Sequence, residues 1–386
     1  MSFFRTSFSL ASIFALRMLG LFMILPVFSL YAEQLPHATP KLIGITLGIY
    51  GLTQAGLQIP FGLLSDKFGR KKLICIGLLL FILGSLIAGF SHSIYGVLIG
   101  RALQGAGAIG SVVLALLADL IPAEKRGRAM ALIGVVIALS FALALILGPV
   151  FDSLIGMRGI FWLTAILGML GIMILFTLVP TPQQLKIQAD AETIPALLKA
   201  VLQNGALLRL DIGIFCLHAI LTALFVVLPI LLVDFLSLSE PQLWKFYLPV
   251  ILLAFVVAIP LIGLAEKNHQ VPKFLFGGVI AIAVSILCFL FLPLSIVAVG
   301  IYLWLFFTAF TMLEALLPSQ ISKLAPPGSK GTALGVYSTL QFLGIFVGGT
   351  VAGQLFQGEH FAHVFWFAVL LLAMWLLVMT IRNKAC

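Results

Sequence analysis

The sequence predicts an all-α integral membrane protein, with twelve transmembrane helices in two pseudo-symmetric six-helix bundles. Three observations carry that expectation. The 386 residues are 62% hydrophobic and only 9% charged, whereas soluble domains carry roughly 25% charged residues. Long apolar stretches recur from one end of the chain to the other, and a bilayer-spanning helix needs roughly 20 such residues. Segments of the first half also reappear about 200 positions later in the second.

Taken in order, the expected spans are 8–32, 41–64, 73–91, 94–120, 127–154, 158–179, 206–234, 241–265, 271–292, 294–322, 330–355 and 360–381. The first is too long for a signal-peptide core and lacks a small-residue cleavage site, so it is expected to be retained. The one substantial loop begins Pro180-Thr181-Pro182 and continues through Gln183, Gln184, Lys186 and Gln188. It separates a first bundle over 1–180 from a second over 206–386, with the cytosolic loop itself at 181–205. Residues 194–202 within it read as a short amphipathic helix on the inner membrane surface.

The internal repeat can be followed span by span. Leu21-Phe22-Met23-Ile24-Leu25-Pro26 in the first span matches Leu224-Phe225-Val226-Val227-Leu228-Pro229 in the seventh. Pro60, Asp66 and Lys67 recur as Pro260, Glu266 and Lys267, and Ala115-Leu116-Leu117 recurs as Ala315-Leu316-Leu317. Each pair occupies the same ordinal span of its half, as in parallel repeats around a central axis. Two such halves can rock about a midplane site, so the repeat by itself points to a transporter. Prolines inside spans (Pro26, Pro60, Pro149, Pro229, Pro260, Pro318) and glycines four apart (Gly44/Gly48, Gly344/Gly348, Gly349/Gly353) suit the kinks and close contacts of a rocking bundle. Membrane helices carry both features in any case.

The net charge of +9 reports topology rather than a nucleic-acid partner. With the N-terminus and central loop in the cytosol, 17 of the 22 Lys and Arg fall on the cytosolic side. Lys41, Arg158 and Lys245 lie outside, and Arg17 and Arg101 lie within spans. That is the positive-inside bias, and it implies a multi-pass protein of the inner (cytoplasmic) membrane with both termini cytosolic. Cys75, Cys216, Cys288 and Cys386 are scattered, which implies neither a disulfide framework nor a metal cluster. No metal and no cofactor are expected.

The most informative local segment is Gly62-Leu63-Leu64-Ser65-Asp66-Lys67-Phe68-Gly69-Arg70-Lys71-Lys72, in the tight connection between the second and third spans. Gly62 permits close helix packing, Gly69 permits a turn that other residues would strain, and Asp66 and Arg70 are spaced to form a charged pair. A merely basic loop explains the lysines but not an aspartate between two glycines. The segment resembles the signature Gly-x-Leu-x-Asp-Arg/Lys-x-Gly-Arg-Arg/Lys of the major facilitator superfamily, and the span count, central loop and repeats agree with it. The resemblance implies a latch between the two halves, in which Asp66 faces the start of the eleventh span near Gly331 and Arg70 pairs with an acid on the fourth. Asp119 stands where that acid is implied.

Two further elements resemble the same family. Arg101-Ala102-Leu103-Gln104-Gly105 is similar to its Arg-x-x-x-Gly element; Arg101 is either functional or a packing residue that snorkels outward. Drug–proton antiporters of the family carry Gly-Pro-x-x-Gly-Gly on the fifth helix, and this chain has Gly148-Pro149-Val150-Phe151-Asp152-Ser153, without the trailing glycine pair. Leu16-Arg17-Met18-Leu19-Gly20, Gly48-Ile49-Tyr50-Gly51-Leu52-Thr53-Gln54, Met312-Leu313-Glu314-Ala315-Leu316-Leu317-Pro318-Ser319 and Gly335-Val336-Tyr337-Ser338 resemble the YajR-type drug/proton antiporters. Some of these carry a soluble domain after the twelfth helix, and none is expected here.

Glu314 is the acid expected to couple protons. It lies about nine residues before Lys323, hence some 13 Å inside the inner boundary at ~1.5 Å per residue, where a lone carboxylate is expensive to leave charged. The alternative is a structural hydrogen bond or ion pair. Arg17, near mid-depth, must meet an acid, a carbonyl or a substrate. His218 can titrate in the physiological range or be satisfied by one neighbour. Asp211, near the inner end of its span, reads as interfacial. Tyr50, Gln54, Gln58, Tyr337 and Gln341 are candidates to line a substrate cavity. Together these features predict a proton-coupled secondary transporter, monomeric in membrane lipid, that exports small amphipathic or drug-like compounds. Uptake of a sugar or other metabolite is the rival within the class. A membrane-embedded enzyme lacks the clustered ligands or nucleophile–base pair it needs, and a non-transporting sensor lacks an output domain.

Overall fold

A computed structural model describes residues 3–181, 194–326, 329–356 and 361–380. They divide into two units, Met1–Ala189 and Asp190–Cys386, both helical, with no strand among the described residues. Lipid offers no partner for backbone N–H and C=O groups, so a chain this apolar satisfies them within helices.

In the first unit, α1 (Phe3–Phe22) packs along α7 (Ala123–Thr177). The span expected at 8–32 is interrupted. Residues 23–27 form tight turns, with Leu25 N–H donating to Phe22 O at 3.1 Å and Val27 N–H to Ile24 O at 3.3 Å, before α2 (Phe28–Glu33) resumes. Pro26 has no N–H for Phe22 O and its ring crowds that carbonyl, which stops the α-helical ladder. Next, α3 (Pro40–Phe68) begins at Thr39, whose Oγ1 accepts from Leu42 N–H at 3.2 Å. Only Gly69 separates it from α4 (Arg70–Phe90).

The span expected at 94–120 is also broken, into α5 (Ile94–Ala106) and α6 (Gly110–Leu120). Here Ala108 N–H turns back to Ala106 O (2.9 Å) and Ile109 N–H to Gly107 O (2.8 Å). Glycines explain the break: a Cβ at Gly100 would strike Gly84 O, and one at Gly107 would strike Gly77 O. The α4 and α5 backbones therefore touch, and the chain bends to follow. The long α7 turns at Gly156 (φ 68, ψ 170), a backbone conformation confined essentially to glycine.

In the second unit, α8 (Ile194–Gln203) packs on α9 (Gly205–Ile230) and α13 (Lys330–Leu355). Asn204 caps α9, its Oδ1 accepting from Ala206 N–H at 3.0 Å and Leu207 N–H at 3.3 Å. Unlike α1, α9 runs through its own proline, Pro229, and closes in a π-turn at Leu231–Phe235. Around it stand α10 (Leu243–Lys267), α11 (Val271–Phe291), α12 (Ile296–Leu324) and α14 (Ala362–Thr380). α13 is the closest neighbour, because a Cβ at Gly344 would meet Phe215 O and one at Gly348 would meet Ala219 O. Of the loop expected at 181–205, residues 182–193 lie outside the described residues, as do Arg382, Lys384 and Cys386.

The repeat extends to the backbone. Left-handed conformations occur at His37 (φ 65) and Ser237 (φ 56), and again at Gly69 (φ 96) and His269 (φ 52). Each pair is 200 positions apart, at the same connection of its own unit.

Ten of the described helices are long and apolar enough to cross a membrane. One of them, Arg128–Thr177, is bent at Gly156 with a membrane-length limb on either side. Counting both limbs gives eleven, and α1, 20 residues long and carrying Arg5 and Arg17, makes twelve. Exposure runs opposite to that of a soluble protein. Leu79, Leu83, Val256, Ile259, Leu370 and Leu377 are exposed while Arg17, Arg101, Asp211 and His218 are buried.

Candidate transport site

Three groups of functional side chains emerge, each within one unit. The first surrounds the α3–α4 turn. A Cβ added at Gly69 would meet open space, so its φ of 96° rather than crowding selects glycine. Gly62 meets only Ser111, at ordinary contact distance. The turn projects Arg70 at three oxygens: its Nη2 pairs with Asp66 Oδ1, its Nε donates to Asp119 Oδ2 at 3.0 Å, and its Nη1 donates to Ser65 Oγ at 2.6 Å. One guanidinium thus ties α3, α4 and α6 together. The Arg70 side chain is only 15% exposed while Asp66 and Asp119 are 55% and 33% exposed, so the cation of this clamp, and not its acids, is shielded from water.

The second group is a pair of buried cations. Arg17 on α1 donates from Nη2 to Gln54 Oε1 at 2.6 Å and lies 5.8 Å from the Tyr50 ring centroid and 5.6 Å from that of Phe81. Arg101 on α5 donates to Gln104 Oε1 (3.0 Å) and to Leu47 O (3.2 Å), with its guanidinium 5.2 Å from the same Tyr50 ring. Gln104 in turn donates to Ser85 Oγ at 2.8 Å. Each arginine is 1% exposed; Arg101 does not snorkel. Gln58, one turn beyond Gln54, sits instead toward Gly110 of α6. Gly148 packs its bare Cα on Met23 O and the Pro26 ring, so the Gly148-Pro149 step of α7 bears on the break in α1.

The third group, in the second unit, is acidic. Gln341 Nε2 on α13 donates to Glu314 Oε1 of α12 at 3.1 Å and lies 2.9 Å from His218 Nε2 of α9. His218 Nε2 is 3.7 Å from Glu314 Oε2. The amide nitrogen thus lies between a carboxyl oxygen and an imidazole nitrogen, both of which can accept a proton. An arriving proton has two adjacent acceptors. Tyr337 is buried on the same helix as Gln341.

The sequence reading missed several members of these groups. Asp211 was expected at the interface, yet it is 2% exposed, with neither carboxylate oxygen hydrogen-bonded. Its helix is enclosed on all sides: Gly213, two residues on, packs against Trp375 of α14. Gln104 and Ser65 were not singled out because a lone glutamine or serine carries no pattern. A second clamp also went unread: Glu266 of α10 accepts from Lys323 (2.9 and 2.7 Å) and from Ser319 (3.0 Å) of α12. The repeat contained the signal, since Glu266 and Ser319 stand 200 positions after Asp66 and Asp119.

A helical bundle of membrane length, made of repeated units that bury opposite charges, has the build of a membrane carrier. Residues 10–349 match the Major Facilitator Superfamily, and the chain belongs to that family; it is a multi-pass membrane transporter of small molecules and not an enzyme. It is 44% identical to the inner membrane transport protein YajR of Escherichia coli, over 97% of this chain and 82% of that one. It is 26% identical to the multidrug resistance protein MdtH of Aeromonas hydrophila, over 86% of this chain and 81% of the relative. Its fold matches that of a D-xylose–proton symporter with a TM-score of 0.74, at 17% identity, covering 97% of both chains.

Proposed function

We propose that the protein is a proton-coupled antiporter of the inner membrane that exports small amphipathic compounds by alternating access. The observation that carries this reading is the Glu314–Gln341–His218 group: a carboxyl inside a membrane bundle, hydrogen-bonded by an amide and approached by an imidazole, with no Lys or Arg paired to it among the described residues. A group of that kind can take up and release a proton within the bundle, where a fixed ion pair could not. In the cycle, Glu314 is protonated from outside and releases its proton inside, alternating with substrate; His218, Arg17 and Arg101 assist that exchange. Tyr50, Gln54, Gln58, Tyr337 and Gln341 contribute the polar lining that substrate meets. Asp66, Arg70 and Asp119, set by Gly62 and Gly69, stabilise the state closed to the cytosol. The segments 1–180 and 206–386 move as bodies joined by 181–205, with both termini cytosolic. Export is favoured by the similarity to a multidrug resistance protein. Proton-coupled uptake is the second reading, favoured by the missing glycine pair after Gly148-Pro149.

The test uses cells stripped of their own efflux pumps, loaded with hydrophobic cationic, neutral and anionic dyes. Wild-type protein should lower accumulation, and both Glu314→Gln and a protonophore should abolish the effect. A well-expressed protein that changes no dye level would remove multidrug export. Proton-dependent accumulation above the control would replace it with uptake.

A further inference from the structure

The first unit buries two positive charges that its own side chains leave unbalanced. Arginine stays protonated in proteins, and Arg17 and Arg101 are each 1% exposed. Every hydrogen bond described for them ends on a neutral acceptor: Gln54 Oε1, Gln104 Oε1 or Leu47 O. The Nε of each guanidinium has no hydrogen-bond partner. The helices around them present Tyr50 and Gln54 from α3, Phe81 and Ser85 from α4, and Gln104 from α5. Among the described residues, no carboxylate lies within ion-pair distance of either guanidinium, and the acids at the α3–α4 turn are engaged by Arg70. A structural tie between helices does not need two like charges around one tyrosine ring. Glutamine or apolar packing would hold the same helices without the cost of burying cations.

We infer that Arg17 and Arg101 recognise the carboxylate of a small amphipathic acid. The planar guanidinium fork matches a carboxylate, and the Tyr50 and Phe81 rings beside it offer an apolar wall to the body the carboxylate is attached to. Arg17 and Arg101 lie on different helices with both guanidiniums beside the Tyr50 ring, so an anion bound at that ring meets two positive charges. The substrate role rests on the transport reading above, whereas binding of the anion does not.

Binding to the purified full chain in uncharged detergent separates the two. Thermal unfolding is followed with sodium benzoate, with benzamide, which has the same ring and no charge, and with sodium chloride. Benzoate should raise the Tm saturably while the other two leave it in place. Arg17→Gln and Arg101→Gln should each weaken the benzoate response by about tenfold or more, the loss expected for one charge-assisted contact. Lys245→Gln, which removes an exposed charge, should not. If Arg17→Gln does not fold, Arg17→Lys, which keeps the charge but loses the fork, takes its place. The inference is overturned if benzoate has no effect, if benzamide or chloride reproduces the shift, or if the shift survives both arginine substitutions. Benzoate binding without dye export would count against the transport reading alone.

Discussion

The two units descend from one pattern and differ most where charge is buried. The first encloses Arg17 and Arg101 around Tyr50, while the second encloses His218 and Asp211 on α9, with a partly exposed Glu314 on α12 beside His218. Among the described residues, no carboxylate pairs with Arg17 or Arg101, and no Lys or Arg pairs with Glu314 or Asp211. Repeated scaffolds thus supply the same frame twice, and a few side chains turn one copy basic and the other acidic. On the proposed reading the acidic set carries the proton, and the basic set meets the substrate's negative charge while assisting that exchange.

The clamps at corresponding turns show the same divergence on a smaller scale. In the first unit the cation is Arg70 on α4, reaching acids on α3 and α6. In the second the acid is Glu266 on α10 and the cation has moved to Lys323 on α12. The second pair is open to water, with side chains 51% and 41% exposed, and exposed pairs contribute only about 0.2–1 kcal/mol. The double substitution Asp66→Asn, Asp119→Asn should therefore leave a folded protein whose dye export falls severely, whereas Lys323→Gln should change export little. Equal losses from the two clamps would show that shielding does not distinguish them.

A finer contrast lies in the turns themselves. Gly69 and His269 occupy matching positions with φ of 96° and 52°, and left-handed backbone costs a non-glycine residue roughly 1–2 kcal/mol. Gly69→Ala should lower the thermal stability of the purified protein by about that amount, and His269→Gly should raise it by up to about 1 kcal/mol. A destabilised His269→Gly would mean that its side chain, not its backbone, holds the turn.

Much of this was legible in the residues. Span number, the repeat, the Asp66–Arg70 spacing and the placement of Glu314 inside a span follow from hydropathy, spacing and the cost of charge in lipid, whereas the partnership of Arg70 with Asp119 was implied by the family resemblance. What was not legible depends on neighbours. Pro26 and Pro229 sit in matching hexapeptides, yet one breaks its helix and the other does not; Gly148 presses on the first, and a π-turn follows the second. Gly107 ends α5 because Gly77 of another helix occupies the space beside it. Asp211 lies where its depth along α9 suggests an interface, and only the packing of α13 and α14 around that helix buries it. Charge and periodicity can be read along the chain, but which helix lies alongside is settled by contacts between distant segments.

The central claim is that the acid of the second unit carries the proton. Its most direct test is proton movement in liposomes containing the purified protein and a pH-sensitive dye, with a compound that the cell assay identifies as exported added on one side. Wild type should move protons when the compound is added, and Glu314→Gln should bind the compound yet move none. Proton movement that persists in Glu314→Gln would contradict the account and place the coupling group elsewhere in the bundle.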